Sequence, residues 1–280
     1  MKIGINTCLW QWPFNFERVD LFKKIADFGF DGIEMTIEDR SKKNLEFIKD
    51  NIQKTNLIRI LCSSFVKGNL IDTKPDIVKR GIKYVKESID LCDYLGANIL
   101  VGPTYGSYVN KDFLYQEVKN KAKKQAIELL KDIGKYALDK KIKIAIEPIN
   151  RYETNFLNTA REGIDLVREI NLSNVGLNLD TYHMNIEEKN SKKAVLDSGK
   201  YLFHLHAPEN DRGTPGTGDV DWNGLADSLK KIHFNGFVVM ESGSPQVEEV
   251  AKLGAFWRVY DYSQDEMAKK GLKFLRNLLT

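Results

Sequence analysis

The feature that most limits the possible folds of this chain is a regular alternation of short β-branched runs with amphipathic segments. Segments such as 19–26 and 82–91 repeat apolar side chains every three or four positions, which is the helical period. The runs between them have the length and composition of strands. Strict alternation of the two predicts a parallel sheet. The eight runs are 2–6, 32–37, 58–62, 98–101, 142–146, 175–179, 201–205 and 236–240.

Eight such repeats are the number at which a parallel sheet closes into a (β/α)8 TIM barrel, which typically needs ~250 residues. The chain has 280, so we expect one barrel domain over residues 1–280. An open, doubly wound sheet is the alternative, but no GxGxxG or Walker motif follows any run. The glycine-rich stretch 212–218 leads to Asp221 and Trp222 instead of directly to a helix, and we interpret it as an active-site loop.

The composition and the cysteine spacing favour a soluble protein in a reducing compartment. The formal net charge is +3, and the basic residues are spread over helix faces, so we expect no nucleic-acid partner. No apolar stretch approaches the ~18 residues of a membrane span. Cys8, Cys62 and Cys92 lie in apolar segments without CxxC spacing, and we expect buried thiols in a cytoplasmic protein with no membrane association.

Metal-ligand side chains stand at the ends of four consecutive runs. Glu147 follows the fifth run, Asp180 the sixth, His206 the seventh and Glu241 the eighth. In a barrel the carboxyl ends of neighbouring strands converge. A single Asp or Glu after a strand is usually a helix cap or a solvated side chain, but four in a row predict a site. Three adjacent carboxylates would repel, so we expect a divalent cation, with Mn²⁺, Co²⁺ or Mg²⁺ favoured by the oxygen-rich ligand set.

Three further histidines lie near these positions or at the opposite end. We expect His183 in a loop over the barrel mouth, where it could hydrogen-bond a substrate oxygen. Of His204 and His206 we expect only one to face the barrel interior, and we assign His206 to it because it is nearer the carboxyl end. His233 precedes the last run and is expected to be structural.

Four motifs resemble the ketose 3-epimerase family, which includes D-tagatose, D-psicose (D-allulose) and L-ribulose 3-epimerases. They are EPINRYE (147–153), LDTYHMNIEE (179–188), HLHAPENDR (204–212) and VME (239–241). The resemblance extends over the whole chain. It implies a xylose-isomerase-like TIM barrel, usually a homodimer or homotetramer, that acts on ketoses and prefers one Mn²⁺ or Co²⁺ per chain.

The resemblance also implies roles for individual residues. Glu147, Asp180, His206 and Glu241 match the metal ligands of the family, and Glu153, His183 and Arg212 match positions that hydrogen-bond the sugar near its carbonyl. The C2 carbonyl makes the C3 proton acidic, and a cation near O2 and O3 would stabilise the enediolate charge. Inversion at C3 needs a base on each face, and we expect Glu147 and Glu241 to be these two catalytic bases.

The sequence departs from the family around the pocket for the far end of the sugar. Many members have Pro-Phe after the last metal ligand, whereas Ser242 and Gly243 follow here. We therefore expect less stacking area and a loosely held substrate. Tyr108 stands where some relatives carry Trp, and Trp12 lies in the loop after the first run. Both are expected to contact substrate.

Other functions remain open from sequence. A hydroxypyruvate isomerase or inosose dehydratase would use a similar centre on the same barrel. An endonuclease-IV-type repair enzyme would need many histidines for its zinc cluster, and the chain has four. A catalytically silent sugar-binding protein could dispense with the second base, so the presence of both Glu147 and Glu241 argues against it.

Overall fold

The structure, a computed structural model, describes residues 1–63, 68–106, 115–261 and 263–280. Eight parallel strands pair in chain order, and the last pairs with the first to close a barrel. The predicted (β/α)8 barrel is thereby confirmed. The strands are β1 (Lys2–Asn6), β2 (Gly32–Met35), β3 (Ile58–Cys62), β4 (Ile99–Gly102), β5 (Lys143–Ile146), β6 (Val175–Asp180), β7 (Leu202–His206) and β8 (Phe237–Met240).

Helices follow the strands and cover the outside of the barrel. Two of the helices, α1 and α3, are followed by glycines in the left-handed region, Gly29 (φ 95°) and Gly96 (φ 72°), where a side chain would be strained. The helices are α1 (Asp20–Phe28), α2 (Lys42–Ile52), α3 (Pro75–Leu95), α4 (Gln116–Asp139), α5 (Ala160–Ile170), α6 (Thr181–Glu187), α7 (Ser191–Ser198), α8 (Trp222–Lys231), α9 (Glu248–Gly254) and α10 (Gln264–Leu279).

Apolar side chains form two separate clusters because neighbouring residues of a strand point to opposite faces of the sheet. A large cluster lies between the strands and the helices. A small one inside the barrel consists of Ile60, Ile99, Val101, Ala145 and Val239. Above this plug, at the carboxyl ends of the strands, the interior becomes polar. The lower part of the barrel interior is therefore packed with apolar side chains, and the polar side chains lie at its mouth.

The strand boundaries predicted from sequence agree within about two residues. The largest difference is at β2, which ends at Met35 instead of residue 37. None of the described helices combines the length and apolar character needed to cross a lipid bilayer.

Candidate active site

The four predicted ligand residues meet at the barrel mouth. Asp180 and His206 are the last residues of β6 and β7 and are paired directly in the sheet register. Glu147 and Glu241 immediately follow β5 and β8. One donor atom from each of the four side chains lies within 4.8 Å of the other three. The barrel therefore brings together residues that are up to 94 positions apart in the chain (241 − 147).

The imidazole of His206 marks the centre of this cluster. Its Nδ1 lies 3.1 Å from Glu147 Oε1, 3.2 Å from Glu241 Oε2 and 3.7 Å from Asp180 Oδ2. Asp180 and His206 are fully buried, whereas the Glu241 side chain is 18% exposed. One nitrogen and three carboxylate oxygens thus point at a common position, and Glu241 forms its open side.

The charges of this cluster are only partly compensated by the protein. Arg212 Nη1 lies 2.6 Å from Asp180 Oδ2 and 2.8 Å from Glu241 Oε2. Burial opposes ionisation of Asp180, but Arg212 and the nearby histidines hold its pKa well below the usual range. Burial raises the pKa of Glu147 to about 7, against the lowering effect of His206. Against the effect of burial, the three carboxylates also raise the pKa of His206, but they still outnumber the cationic groups beside them, and this excess is unfavourable in a buried position without a cation.

A divalent cation fits this donor set. Three carboxylate oxygens and one imidazole nitrogen, without a thiolate, suit hard or borderline ions such as Mg²⁺, Mn²⁺ and Co²⁺ better than a structural zinc. The described residues thus include a group able to hold a metal ion, made of Glu147, Asp180, His206 and Glu241.

Asp180 combines a capping role with its place in the cluster. Its Oδ1 accepts a hydrogen bond from the backbone N–H of Tyr182 (2.7 Å) and so caps α6. Its Oδ2 faces Arg212 and His206. The helix cap fixes the carboxylate rotamer, because one oxygen is held by the backbone while the other points into the barrel mouth.

Both His204 and His206 face the barrel interior, so the expectation that only one would do so is wrong. Residues two apart in a strand lie on the same side of the sheet. Both rings reach Glu34 on β2: His206 Nε2 lies 2.9 Å from Glu34 Oε1, and His204 Nε2 lies 2.9 Å from Glu34 Oε2. Glu34 is fully buried and also accepts a hydrogen bond from Asn6 Nδ2 (2.7 Å). The histidines and Asn6 thus meet at a single buried carboxylate.

Glu34 was missed by the sequence reasoning although it precedes the last residue of β2. Its carboxylate contacts Nε2 of His206. The other ring nitrogen of His206, Nδ1, is therefore directed at Glu147, Asp180 and Glu241. A carboxylate that binds the far nitrogen of a ligand histidine fixes both its ring orientation and its tautomer. The available signal was a lone Glu inside an otherwise apolar strand, Gly-Ile-Glu-Met.

His183 lies in the short helix α6 and not in a loop as expected. The backbone N–H of Asn150 points at His183 Nδ1 at 3.2 Å, so this nitrogen is the acceptor and the neutral ring carries its hydrogen on Nε2. Burial lowers the pKa of His183, which favours the neutral form. Nε2 lies 3.2 Å from Arg212 Nη2. Two donors, the Nε2–H and the guanidinium, therefore face the same space.

The remaining predicted contacts divide into two groups. Glu153 and Trp12 line the same cavity as Glu147, His183, Arg212 and Glu241, a space of about 90 Å³. Asn150 Nδ2 donates to Glu153 Oε1 (2.8 Å) and thereby ties Glu153 to the His183 side of the cavity. Tyr108 lies outside the described residues. Cys62 is half-buried and lines the cavity, whereas Cys8, which also lines it, and Cys92 are buried as expected.

The loop that carries Arg212 is organised by a second buried carboxylate that the sequence reasoning missed. Glu209 is fully buried and accepts hydrogen bonds from Gly216 N (2.8 Å), Val220 N (3.0 Å) and Trp222 Nε1 (2.9 Å). This agrees with the interpretation of the glycine-rich stretch as an active-site loop, since its folded shape delivers Arg212 to the cluster.

The space next to Gly243 is filled, so the premise of reduced stacking area is corrected. A Cβ at this position would lie 2.1 Å from Phe256 Cζ. Phe256 lines the cavity together with Trp12, Val250 and Leu253. An aromatic ring from a later part of the chain therefore occupies the site beside Gly243.

Comparison with known proteins agrees with this geometry. Residues 22–278 match the family model of the xylose isomerase-like TIM barrel. A probable ketose 3-epimerase of Synechocystis sp. is 31% identical and covers 99% of this chain and 96% of its own length. The L-ribulose 3-epimerase of Methylomonas sp. is 34% identical over 90% of this chain and 88% of its own length.

Similarity to a solved structure is equally extensive. The D-allulose 3-epimerase from Methylomonas sp. in complex with D-allulose superposes with a TM-score of 0.92 at 30% identity and covers 99% of this chain and 96% of that chain. The chain therefore belongs to the xylose isomerase-like TIM barrel family and, within it, to the ketose 3-epimerases, which are isomerases that act on carbohydrates.

Proposed function

We propose that this chain epimerises free ketoses at C3 by proton transfer between two carboxylates. The observation that carries the proposal is that Glu147 and Glu241, which follow β5 and β8, both line one cavity and lie 3.1 and 3.2 Å from His206 Nδ1. The relatives named as L-ribulose and D-allulose 3-epimerases support this reaction. A substrate carbon between two carboxylates can lose a proton to one and gain a proton from the other, which inverts its configuration.

The residues around the two carboxylates would orient the sugar. His183 Nε2–H and the Arg212 guanidinium are donors directed at the cavity, and we assign them to sugar oxygens near the carbonyl. Glu153 is an acceptor on the same side and would bind a sugar hydroxyl. Trp12 supplies an apolar wall, and Tyr108 is proposed as a further contact. Together, these contacts would fix C3 of the sugar between Glu147 and Glu241.

The cofactor is proposed to be one divalent ion per chain, Mn²⁺ or Co²⁺, with Mg²⁺ as a further possibility. Glu147, Asp180, His206 and Glu241 would hold it. When bound, such an ion polarises sugar oxygens and makes the C3 proton more acidic. The excess of carboxylates over cationic side chains in this cluster is the physical support for the assignment.

The cavity favours an uncharged sugar. Of the described residues that line it, Arg212 is the only lysine or arginine, and its Nη1 is already shared between Asp180 and Glu241. A terminal phosphate would therefore lie in the cavity without a cationic partner. We accordingly propose free ketoses rather than ketose phosphates as substrates.

Three coarser assignments accompany this function. We propose that residues 1–280 act as one catalytic domain, that the protein works as a homodimer or homotetramer, and that it resides in the cytoplasm. The three cysteines without a disulfide partner support a reducing compartment. The proposed partner is the ketose alone, with no nucleic acid and no membrane.

The test is epimerisation in D2O by the metal-loaded protein. The wild type should convert a ketose into its C3 epimer, and the product should carry deuterium at C3. Glu147→Gln and Glu241→Gln each remove one base, so each should lower the epimerisation rate by ~100-fold or more. A Gln variant should still exchange the C3 hydrogen of the one epimer whose proton faces the remaining carboxylate, with opposite preferences in the two variants.

Glu128→Gln, on the exposed face of α4, is the matched control and should leave the rate unchanged. Product without deuterium, or an active Gln variant, would contradict the two-base assignment. Product analysis separately tests the alternative of a related isomerase or dehydratase, which the relatives do not favour: an aldose or a dehydrated product in place of the C3 epimer would support it.

A further inference from the structure

The ring of Phe256 packs closely against two glycines at the edge of the cavity. A Cβ on Gly243 would lie 2.1 Å from its Cζ, and a Cβ on Gly254 would lie 2.3 Å from its Cε1. Distances below 3.0 Å mean that any side chain at either position would overlap the ring. The ring is therefore held against the bare backbone of two glycines, one after β8 and one at the end of α9.

The ring is buried, yet it lies apart from the two apolar clusters of the barrel. Phe256 is 6% exposed. Among the described residues, neither of the two core clusters includes it. Its exposed edge instead lines the cavity that contains Glu147 and Glu241. The Phe256 ring packs on glycine backbone at one side. Its remaining apolar surface borders the cavity and is available to contact whatever the cavity binds.

The cavity has a polar side and an apolar side. Glu147, His183, Arg212 and Glu241 form the polar side, where the reacting carbons of a sugar would lie. Val250, Leu253 and Phe256, from α9 and the residue pair that follows it, form the apolar side. A chain of carbons fixed at the polar side would extend its unreacting end towards these three residues.

We propose that Phe256 is the specificity-determining wall for the end of the ketose distant from C3, an inference that rests on the proposed function. The ring packs on the C–H groups of C5 and C6, so it favours sugars long enough to reach it. The backbone at Gly243 and Gly254 sets the position of the ring. The substrate class selected in this way is an unphosphorylated ketohexose rather than a ketopentose.

Two Phe256 variants test the proposal with a matched pair of sugars. The sugars are a ketohexose and the ketopentose of the same configuration at C3 and C4, assayed with the metal-loaded enzyme. Phe256→Ala and Phe256→Leu should lower the hexose-to-pentose ratio of kcat/KM, by about tenfold for Ala. The loss should lie mainly in KM for the hexose, because contacts to the unreacting end are made in both ground state and transition state.

Trp257→Ala is the control, because Trp257 is adjacent but 68% exposed and is absent from the cavity lining in the described residues. It should leave the ratio unchanged. Gly243→Ala should displace the ring and lower the hexose-to-pentose ratio of kcat/KM, as Phe256→Ala does. This variant tests the packing of the ring on glycine without removing the aromatic side chain.

The outcomes separate the inference from the function beneath it. Wild-type epimerisation combined with an equal loss on both sugars in the Phe256 variants would show that Phe256 only anchors α9, and would overturn the inference alone. A loss confined to kcat would overturn it as well. A wild type that inverts C3 of neither sugar would overturn the proposed function and the inference with it.

Discussion

Glu34 illustrates how a single buried residue can define a site without touching the reacting atoms. Its two carboxylate oxygens are divided between His206 and His204, at 2.9 Å each, and Asn6 adds a hydrogen bond. Burial opposes ionisation, but the two histidines lower the pKa of Glu34. An ionised carboxylate in this position keeps the hydrogen of His206 on Nε2 and leaves Nδ1 free for the cluster.

Replacing this carboxylate should weaken the metal site. Glu34→Gln keeps one oxygen, but its amide nitrogen is a donor and faces an imidazole Nε2 that also donates. We expect metal affinity to fall by about 10- to 100-fold, as for other residues that orient a ligand histidine. Mn²⁺ titration by calorimetry would measure it, with Glu46→Gln on the exposed face of α2 as the control. Equal affinities of Glu34→Gln and wild type would refute this role.

At the scale of elements, short-range caps fix the helices that surround the mouth. Thr159 Oγ1 and Glu162 form a reciprocal capping box at the start of α5, in which each side chain accepts a hydrogen bond from the other's backbone. Lys119 Nζ on α4 lies 2.7 Å from Glu162 Oε1 and joins the neighbouring helices. The cap thus fixes the start of α5, and the ion pair links it to α4.

The cap of α5 has a measurable share in stability. Thr159→Ala removes the oxygen that accepts from the Glu162 backbone N–H, and we expect the free energy of unfolding to fall by ~1 kcal/mol. Urea unfolding followed by circular dichroism measures the change. Thr159→Ser keeps the hydroxyl and should be close to wild type. If the Ser variant loses as much as the Ala variant, packing of the methyl group and not the cap is responsible.

At the scale of the whole molecule, the barrel concentrates unfavourable charge at its mouth. Strands β5 to β8 contribute three carboxylates and one imidazole to a largely buried cluster, with Arg212 as the adjacent guanidinium. Folding without a cation leaves this repulsion in place. The site therefore lowers the stability of the metal-free barrel and couples stability to metal binding.

Metal addition should raise the melting temperature. At a free Mn²⁺ concentration of ~100 Kd, binding to the folded state alone contributes about 2.7 kcal/mol. For a chain of 280 residues, with an unfolding entropy of ~2.1 cal/mol/K per residue, this corresponds to a rise of roughly 5 °C. Scanning calorimetry with EDTA and then with added Mn²⁺ measures the shift, and activity should be lost and restored in parallel. Asp180→Asn should show a much smaller shift, and equal melting temperatures of the wild type in EDTA and Mn²⁺ would exclude the coupling.

The sequence by itself determined the barrel and the residues at its mouth. The alternation of strand and helix periods fixes the number of strands, and parallel strands in chain order must present their carboxyl ends together. Glu147, Asp180, His206 and Glu241 could be placed for this reason, because each stands next to a strand end. His183 could be placed near them but not on α6, since a two-turn helix after Asp180 leaves too short a periodic signal.

Only the tertiary structure decided which groups support those residues. Glu34 meets His206 across 172 positions of chain, and Phe256 fills the space beside Gly243 from a segment beyond α9. No local period encodes such contacts, because they depend on strand twist, on the rotamers that fit and on how a connecting segment folds back. A sequence can show that a glycine leaves space. The folded chain decides which side chain fills it.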